Sequence, residues 1–387
     1  MTGPFFNTLR TDGTRALAAA LSQTRQRTLG LMQAWQAAVS DLSVPLSPRV
    51  NPPLWEWGHI AWFQEWWTVR NRQRHEGIRS ASSGDGFAPS LMPHADALYN
   101  SSEVAHDSRW SLALPDFEHT QRYLSDVLAH SLAHLRAAPD ASDEALYFWR
   151  LVLQHEAMHN EASVYMAQNL GVALPEAWCV GHALSWHQEM VPRAGLRIPS
   201  QVCQLGHSGT GFAFDNECPA HTVALAAYEI DAQAVSWAQY LPFLQETGHA
   251  LPPHVRCVQG GWQVQVFGHW RAMPMSAPVV HVNAWDAQAW CHWAGRRLPT
   301  EAQWTCAANT HGFEWGRVWE WTADDFAPYP GFLPHPYREY SEPWWQGHRV
   351  LKGACWATSQ HLVDARYRNF FVPERQDILA GFRSVKI

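Results

Sequence analysis

The sequence predicts an α+β protein in two parts: a four-helix bundle over residues 1–172, then a β-rich, loop-rich unit over 173–387. Two observations carry this. The first 170 residues hold four apolar stripes at helical spacing, and after about residue 172 the texture changes to Pro, Gly, short β-rich runs and closely spaced Trp.

Taken in order, Leu17, Leu21, Leu29, Met32 and Trp35 mark the first helix, and Ile60, Phe63 and Trp67 the second. Phe117, Leu124, Val127, Leu132 and Leu135 mark the third; Leu146, Trp149, Leu153, Ala162 and Met166 mark the fourth, which Gly171 stops. The stretch 76–110, rich in Ser, Gly and Asp, reads as loop. In the second part Val223–Ile230 and Val264–Trp270 read as strands, and Ala284–Ala294 and Glu301–Ala308 as helices, with the domain boundary at 172–195.

Bulk composition excludes several classes. The chain is 47% apolar and 16% charged, a globular balance that excludes a disordered chain. A net charge of -7 gives no basic footprint for nucleic acid. No run of 18 apolar residues suits a membrane span, and the N-terminus has no signal pattern. The 7 cysteines form no CxxC pair, which fits reduced thiols in the cytoplasm.

The sharpest chemical signal is Gln154-His155-Glu156-Ala157-Met158-His159. Histidines at i and i+4 lie about 40° apart on one helical face, so both imidazoles can bind one metal ion. A bare pair at this spacing is more often a core or surface feature. The run also matches HExxH, in which Glu156 would be the general base of a zinc protease. The extended form of that pattern wants Gly where Ala162 stands, and no downstream ligand is evident. Upstream, His59 on the second helix is available to complete a three-histidine face, which leaves open positions for O₂ and substrate. Carboxylate is the commoner third ligand in such oxygenases, so Glu65, Glu156 and Glu161 stand as alternatives to His59.

Along its whole length the chain resembles the ergothioneine sulfoxide synthases: a DinB-like bundle with His59 and His155-x-x-x-His159, then a domain like the formylglycine-generating enzyme. The second part carries Phe214-Asp-Asn-Glu-Cys-Pro-Ala-His221, Pro278-Val-Val-His-Val-Asn-Ala-Trp-Asp286 and Ala294-Gly-Arg-Arg-Leu-Pro-Thr-Glu-Ala-Gln-Trp304. Gly316-Arg-Val-Trp-Glu-Trp-Thr322, Tyr329-Pro-Gly-Phe332, Lys352-Gly-Ala-Cys-Trp-Ala-Thr358, Arg366-Tyr-Arg-Asn-Phe-Phe371 and Gly381-Phe-Arg383 follow. The resemblance implies a C-type-lectin-like second domain and Fe(II) on His59, His155 and His159. It implies O₂ as co-substrate and bond formation at the imidazole C2 of hercynine, Nα-trimethylhistidine. A family tyrosine supplies a proton; Tyr329 is the positional match, with Tyr337 and Tyr340 next and a turn residue packed beside two prolines as the plain alternative. Trp62, Trp356, Phe370 and Phe371 are expected as aromatic walls for the trimethylammonium group, Asn369 beside the substrate and Arg375 as an anion clamp. The plain readings are ordinary core for the aromatics and a solvated surface cation for Arg375.

Three features depart from the usual sulfoxide synthase pattern: the run Trp55-Glu56-Trp57-Gly58-His59, Met158 where Gln is usual, and Phe371 where users of γ-glutamylcysteine carry an acid. Met158 cannot donate the hydrogen bond that Gln would. Together they resemble the selenoneine synthase branch, which joins hercynine to the selenosugar 1-seleno-N-acetylglucosamine. The alternatives are a sulfur donor, cysteine or γ-glutamylcysteine (a cysteine-using branch also carries Phe-Phe), a metal-dependent thiol transferase, and a non-catalytic binding module.

Overall fold

The computed structural model describes residues 10–84, 86–138, 141–182 and 189–387. Helix α1 (Thr14–Ala38) buries Leu17, Leu21, Met32 and Trp35 of the predicted stripe, with Leu29 half-buried, and buries Leu31 besides. Helix α2 (Pro53–Gln64) starts on a proline, whose missing N–H costs nothing in a first turn. It is buried almost all round, so its apolar pattern carries little periodicity. It runs on into a π-helical turn, Glu65–Arg70.

Helix α4 (Phe117–Ala137) begins where the Asp116 side chain accepts from the His119 N–H, and α5 (Asp143–Leu170) where Ser142 accepts from Ala145. Gly171 ends α5 at φ 67°, a left-handed cap that suits glycine. Helices α1 and α2 each pack on both α4 and α5. No helix among the described residues is long and apolar enough to cross a membrane.

The stretch 76–110 is not simply loop. It holds the short helix α3 (Ala95–Tyr99) between 3₁₀ turns at Arg74–Arg79 and His106–Trp110. These pieces are too short to show periodicity, yet they supply Asp96, Tyr99 and Arg109 to the region around α2.

Beyond α6 (Glu176–Cys179) the chain forms small sheets. Strands β1 (Leu196–Ile198), β4 (Tyr228–Ile230), β13 (Val385–Lys386) and β8 (Arg296–Arg297) make one sheet in that order. Strands β2 (Gln201–Leu205) and β3 (His221–Leu225) pair as a ribbon. The segment Val223–Ile230 is therefore two strands, β3 and β4, that belong to different sheets. The segment Val264–Trp270 is the heart of a hairpin. Strands β5 (Val255–Val258), β6 (Gly261–Val266) and β7 (His269–Ala272) form a meander, and the β6–β7 turn places both Phe267 and Gly268 at positive φ, 46° and 81°. Helices α8 (Ala284–Trp293) and α9 (Glu301–Ala307) pack on these sheets, and α7 (Trp237–Thr247) packs on α8.

The sheet that matters for the site has the order β11 (Asn369–Phe371), β10 (Arg349–Gly353), β9 (Trp319–Asp325) and β12 (Ala380–Gly381). One apolar core runs from Leu17 in α1 to Val385 in β13, across both halves. Helix α5 is the spine of that junction: Gln154 donates to the His361 carbonyl, Asn169 to Asp377 and Gln168 to Gln265. Arg10, fully buried, reaches Glu217 with two bonds of 2.6 and 2.9 Å and ties the chain start to the second half.

Candidate metal centre and its cavity

Helices α2 and α5 face each other with His59 opposite His155 and His159. The possible ligand atoms of the three lie within 4.8 Å of one another, and among the described residues they are the one such cluster of His, Cys, Asp or Glu. The Nε2 atoms of His155 and His159 stand 3.2 Å apart. Two imidazoles bound in cis positions at about 2.1 Å from one ion would hold their nitrogens about 3 Å apart, so the spacing fits a shared metal.

The outer nitrogens have other partners. His59 Nδ1 meets the Tyr99 carbonyl at 2.8 Å, and His159 Nδ1 meets Glu56 Oε2 at 2.5 Å. Each contact fixes a tautomer that leaves Nε2 as the ligand atom. His155 stacks on Phe63 at 3.6 Å between centroids. Burial pushes His59 down to about 3 and His155 well below its ordinary value, so both stay neutral, the form a metal needs. Burial alone would raise the Glu56 carboxyl; the His159 imidazole overrides it and holds the group down to about 2.

The three carboxylates that compete with His59 in the sequence are committed elsewhere. Glu65 accepts from Tyr123, Ser90 and the Leu91 N–H. Glu156 pairs with Arg25 at 2.7 Å and accepts from Thr28. Glu161 accepts from Trp319 Nε1 at 2.6 Å and Thr358 at 2.5 Å. The protease reading fails on Glu156, whose oxygens face a buried guanidinium and a hydroxyl.

A cavity of about 240 Å³ opens beside His159, between α5 and the β9–β11 sheet. Its walls include Glu161, Tyr165, Trp319, Tyr367, Asn369 and Phe371. Strand β11 alternates, so Asn369 and Phe371 face the cavity while Phe370 turns away onto Phe326, 4.1 Å between centroids. Phe370 is thus not a wall. Met158 lines the cavity, and its sulfur accepts from Tyr367 at 3.2 Å and Tyr340 at 3.8 Å; the two hydroxyls lie 3.0 Å apart.

Other expected residues stand apart. Tyr329 donates to Glu301 at 2.8 Å, lies under the Arg368 guanidinium and packs in a separate small cluster with Leu205 and Ala302. Tyr337 is the tyrosine whose ring neighbours His155, at 6.3 Å. Trp356 lies near Phe267 and lines a different cavity with Val266 and Cys179. Both assignments rested on motif position, which does not say which way a buried side chain turns. Trp62 sits by His59 at 5.8 Å, its Nε1–H bonded to Asp96. Arg375 is paired with Asp377 at 2.5 Å and covers the Phe371 ring at 4.9 Å, so it is a clasp behind the wall and not a free anion clamp.

Comparison with known proteins then fixes the family. The sulfatase-modifying factor enzyme 1-like domain matches residues 188–317 and 309–387, together just over half of the chain. The chain belongs to that family. This family member is also similar over nearly its whole length to two proteins named hercynine oxygenase. The one from Mycobacterium tuberculosis is 27% identical over 95% of this chain and 97% of its own, and the one from Mycolicibacterium smegmatis is 27% identical over the same shares. The formylglycine-generating enzyme of Streptomyces coelicolor is 34% identical over 35% of this chain and 52% of its own. On that footing this sulfatase-modifying-factor-like protein is an enzyme of the oxidoreductase class.

Sequence reasoning passed over Glu56, Tyr165, Trp319 and Tyr367. Glu56 had a readable signal, an acid one turn before His59 on the same helical face. The other three did not, because only the fold brings α5, β9 and the Arg366–Arg368 segment to one cavity.

Proposed function

We propose that the protein is an O₂-dependent non-heme iron enzyme that modifies hercynine, joining a chalcogen donor to its imidazole C2. One observation carries the reading: three histidines, His59 and His155 buried and His159 half-buried, converge through Nε2, and two of them are fixed at Nδ1 by non-metal acceptors. The similarity to hercynine oxygenases over the full chain supports the substrate. His59, His155 and His159 would hold the iron. When bound, the metal supplies O₂ activation and acidifies the donor's selenol or thiol.

The chain's own residues do the rest. Trp319, Tyr165, Tyr367 and Phe371 offer aromatic faces to a trimethylammonium group in a cavity sized for one small molecule. Glu161 adds a carboxyl that burial raises, held in place by Thr358 and Trp319. The Tyr340–Tyr367 pair keeps a proton at the cavity edge, since burial holds both phenols well above their ordinary range. Two hydroxyls sharing one bond leave a second proton with only the Met158 thioether, a weak acceptor. That pair, in place of Tyr329, is our candidate proton source.

For the donor we favour a selenosugar, with selenoxide as the product. Met158 stands on this wall where sulfoxide synthases usually have Gln, and Phe371 where users of γ-glutamylcysteine carry an acid. Cysteine or γ-glutamylcysteine as donor is the second reading, since Phe371 beside Phe370 also suits a user of cysteine. We place the reaction in the cytoplasm. His155→Ala tests the metal assignment: elemental analysis after anaerobic Fe(II) loading should give about one iron per wild-type chain and close to none in the variant. Full occupancy in the variant would refute it.

A further inference from the structure

Two of the three histidines are linked by a closed chain of contacts outside the cluster. His159 Nδ1 meets Glu56 Oε2 at 2.5 Å. The other Glu56 oxygen accepts from Asn51 Nδ2 at 2.6 Å. Asn51 Oδ1 accepts in turn from Arg109 Nη1 at 2.7 Å. The Arg109 guanidinium lies over the Trp55 ring at 3.7 Å, and Trp55 stacks on His59 at 4.9 Å with planes 8° apart. Arg109 touches neither histidine, yet it is the one residue on both arms.

Its surroundings suit that position. Arg109 is 9% exposed and comes from the 3₁₀ turn His106–Trp110, far in sequence from α2 and α5. It has no carboxylate partner of its own in the described contacts; its other bond is to the Val104 carbonyl. A buried guanidinium without a carboxylate is costly unless a nearby anion offsets it. Glu56, relayed by Asn51, is that anion, and its attraction opposes the lowering of Arg109 by burial. Trp55 is itself pinned, its Nε1–H donating to the Leu98 carbonyl at 2.8 Å.

We infer that Arg109 is a positioning residue for the metal site, setting His159 through Asn51 and Glu56 and setting His59 through Trp55. The inference rests on the reading of the three histidines as the iron site. Outer partners of metal-bound histidines change metal affinity by roughly 10–100-fold when removed. Arg109 is one layer further out but acts on two ligands.

The test is iron affinity, by anaerobic Fe(II) titration against a competing chelator, with thermal stability followed in parallel. Glu56→Gln should weaken iron roughly 10–100-fold, and Arg109→Met roughly tenfold. The double variant should lose less than the product of the two, because one arm is shared. The nitric oxide adduct of the Fe(II) protein should show an altered electron paramagnetic resonance spectrum in Arg109→Met. Asn51→Ala cuts only the glutamate arm and carries the test if Arg109→Met does not fold. Wild-type affinity in Arg109→Met or in Asn51→Ala, or fully multiplicative losses in the double variant, would overturn the role of Arg109. A wild-type protein that holds no iron would overturn the site reading itself, and the inference with it.

Discussion

The Nε2 atoms of His155 and His159, one helical turn apart on α5, face each other at 3.2 Å. His59 closes on the pair from α2, its ring centroid 5.0 Å from each of theirs. The surroundings hold the three together: Glu56 and the Tyr99 carbonyl at the outer nitrogens, Phe63 under His155, and Trp55 against His59.

Removing the hydroxyl of Tyr367 should alter what the iron-loaded enzyme makes. Tyr367→Phe leaves the ring as a cavity wall and takes away the hydroxyl that meets Met158 and pairs with the Tyr340 hydroxyl. We expect bond formation to fall about 10²-fold or more, the usual size of a general-acid contribution, with donor oxidation taking its place. Tyr329→Phe should leave the product ratio unchanged, because that hydroxyl is committed to Glu301. Product analysis by mass spectrometry checks both, and an unchanged ratio in Tyr367→Phe would reject that proton source.

Arg25 and Glu156 form an ion pair inside the helices, with each side chain 2% exposed. Arg25 also donates to Gln64 and to the Leu124 carbonyl, so one guanidinium links α1, α2, α4 and α5. Arg25→Ala should destabilise the protein by about 3–5 kcal/mol, because it strands a buried carboxylate. Denaturant unfolding measures this; a loss under about 1 kcal/mol would mean the pair is not buried as described.

Gly58 has Tyr99 packed directly against it, and a Cβ there would overlap the Tyr99 ring. Gly58→Ala should cost about 1–3 kcal/mol by overpacking. It should also weaken iron binding, since the Tyr99 carbonyl is the acceptor for His59. Unfolding and metal titration report the two effects separately.

Acid should destabilise the metal-free protein well above the carboxylate range. Burial pushes His281 down to about 3, and His335 and His361 each to about 4. Between those values and the ordinary 6.5, the unfolded chain binds protons that the folded one refuses, so stability falls as pH drops from about 6.5 towards 4. Asp215, raised by burial to about 6, works the other way, as do Glu161 and Asp324, but His59, His155, His182, His207 and His254 are lowered by burial as well, and the histidines outnumber the acids. The melting temperature should decline between pH 7 and pH 5; a flat or rising trend contradicts this.

How much could be read from the chain follows from burial. Helices α1 and α4 were legible because each buries one stripe; α5 is buried on every side from Ala145 to Ala157, and it carried its two histidines in the plainest metal spacing. Helix α2 is buried on nearly every side, so its apolar residues marked a helix without showing which way His59 turns. The 76–110 stretch read as loop because α3 spans a single turn or so, although it provides the carbonyl that fixes His59. Tyr329 turns to Glu301 and Trp356 to a cavity lined by Val266 and Cys179, because a motif match fixes position along the chain and not direction in a core. Phe370 and Phe371, neighbours in sequence, separated because a strand sends them to opposite faces.

The most direct test is product formation with competing donors. The enzyme is loaded with Fe(II) and given O₂, hercynine and, in parallel, 1-seleno-N-acetylglucosamine, γ-glutamylcysteine or cysteine, and the products are weighed by mass spectrometry. We expect an iron- and O₂-dependent hercynine adduct, formed fastest with the selenosugar. An adduct with a sulfur donor alone would contradict the selenium assignment, and no adduct with any donor would contradict the proposed function.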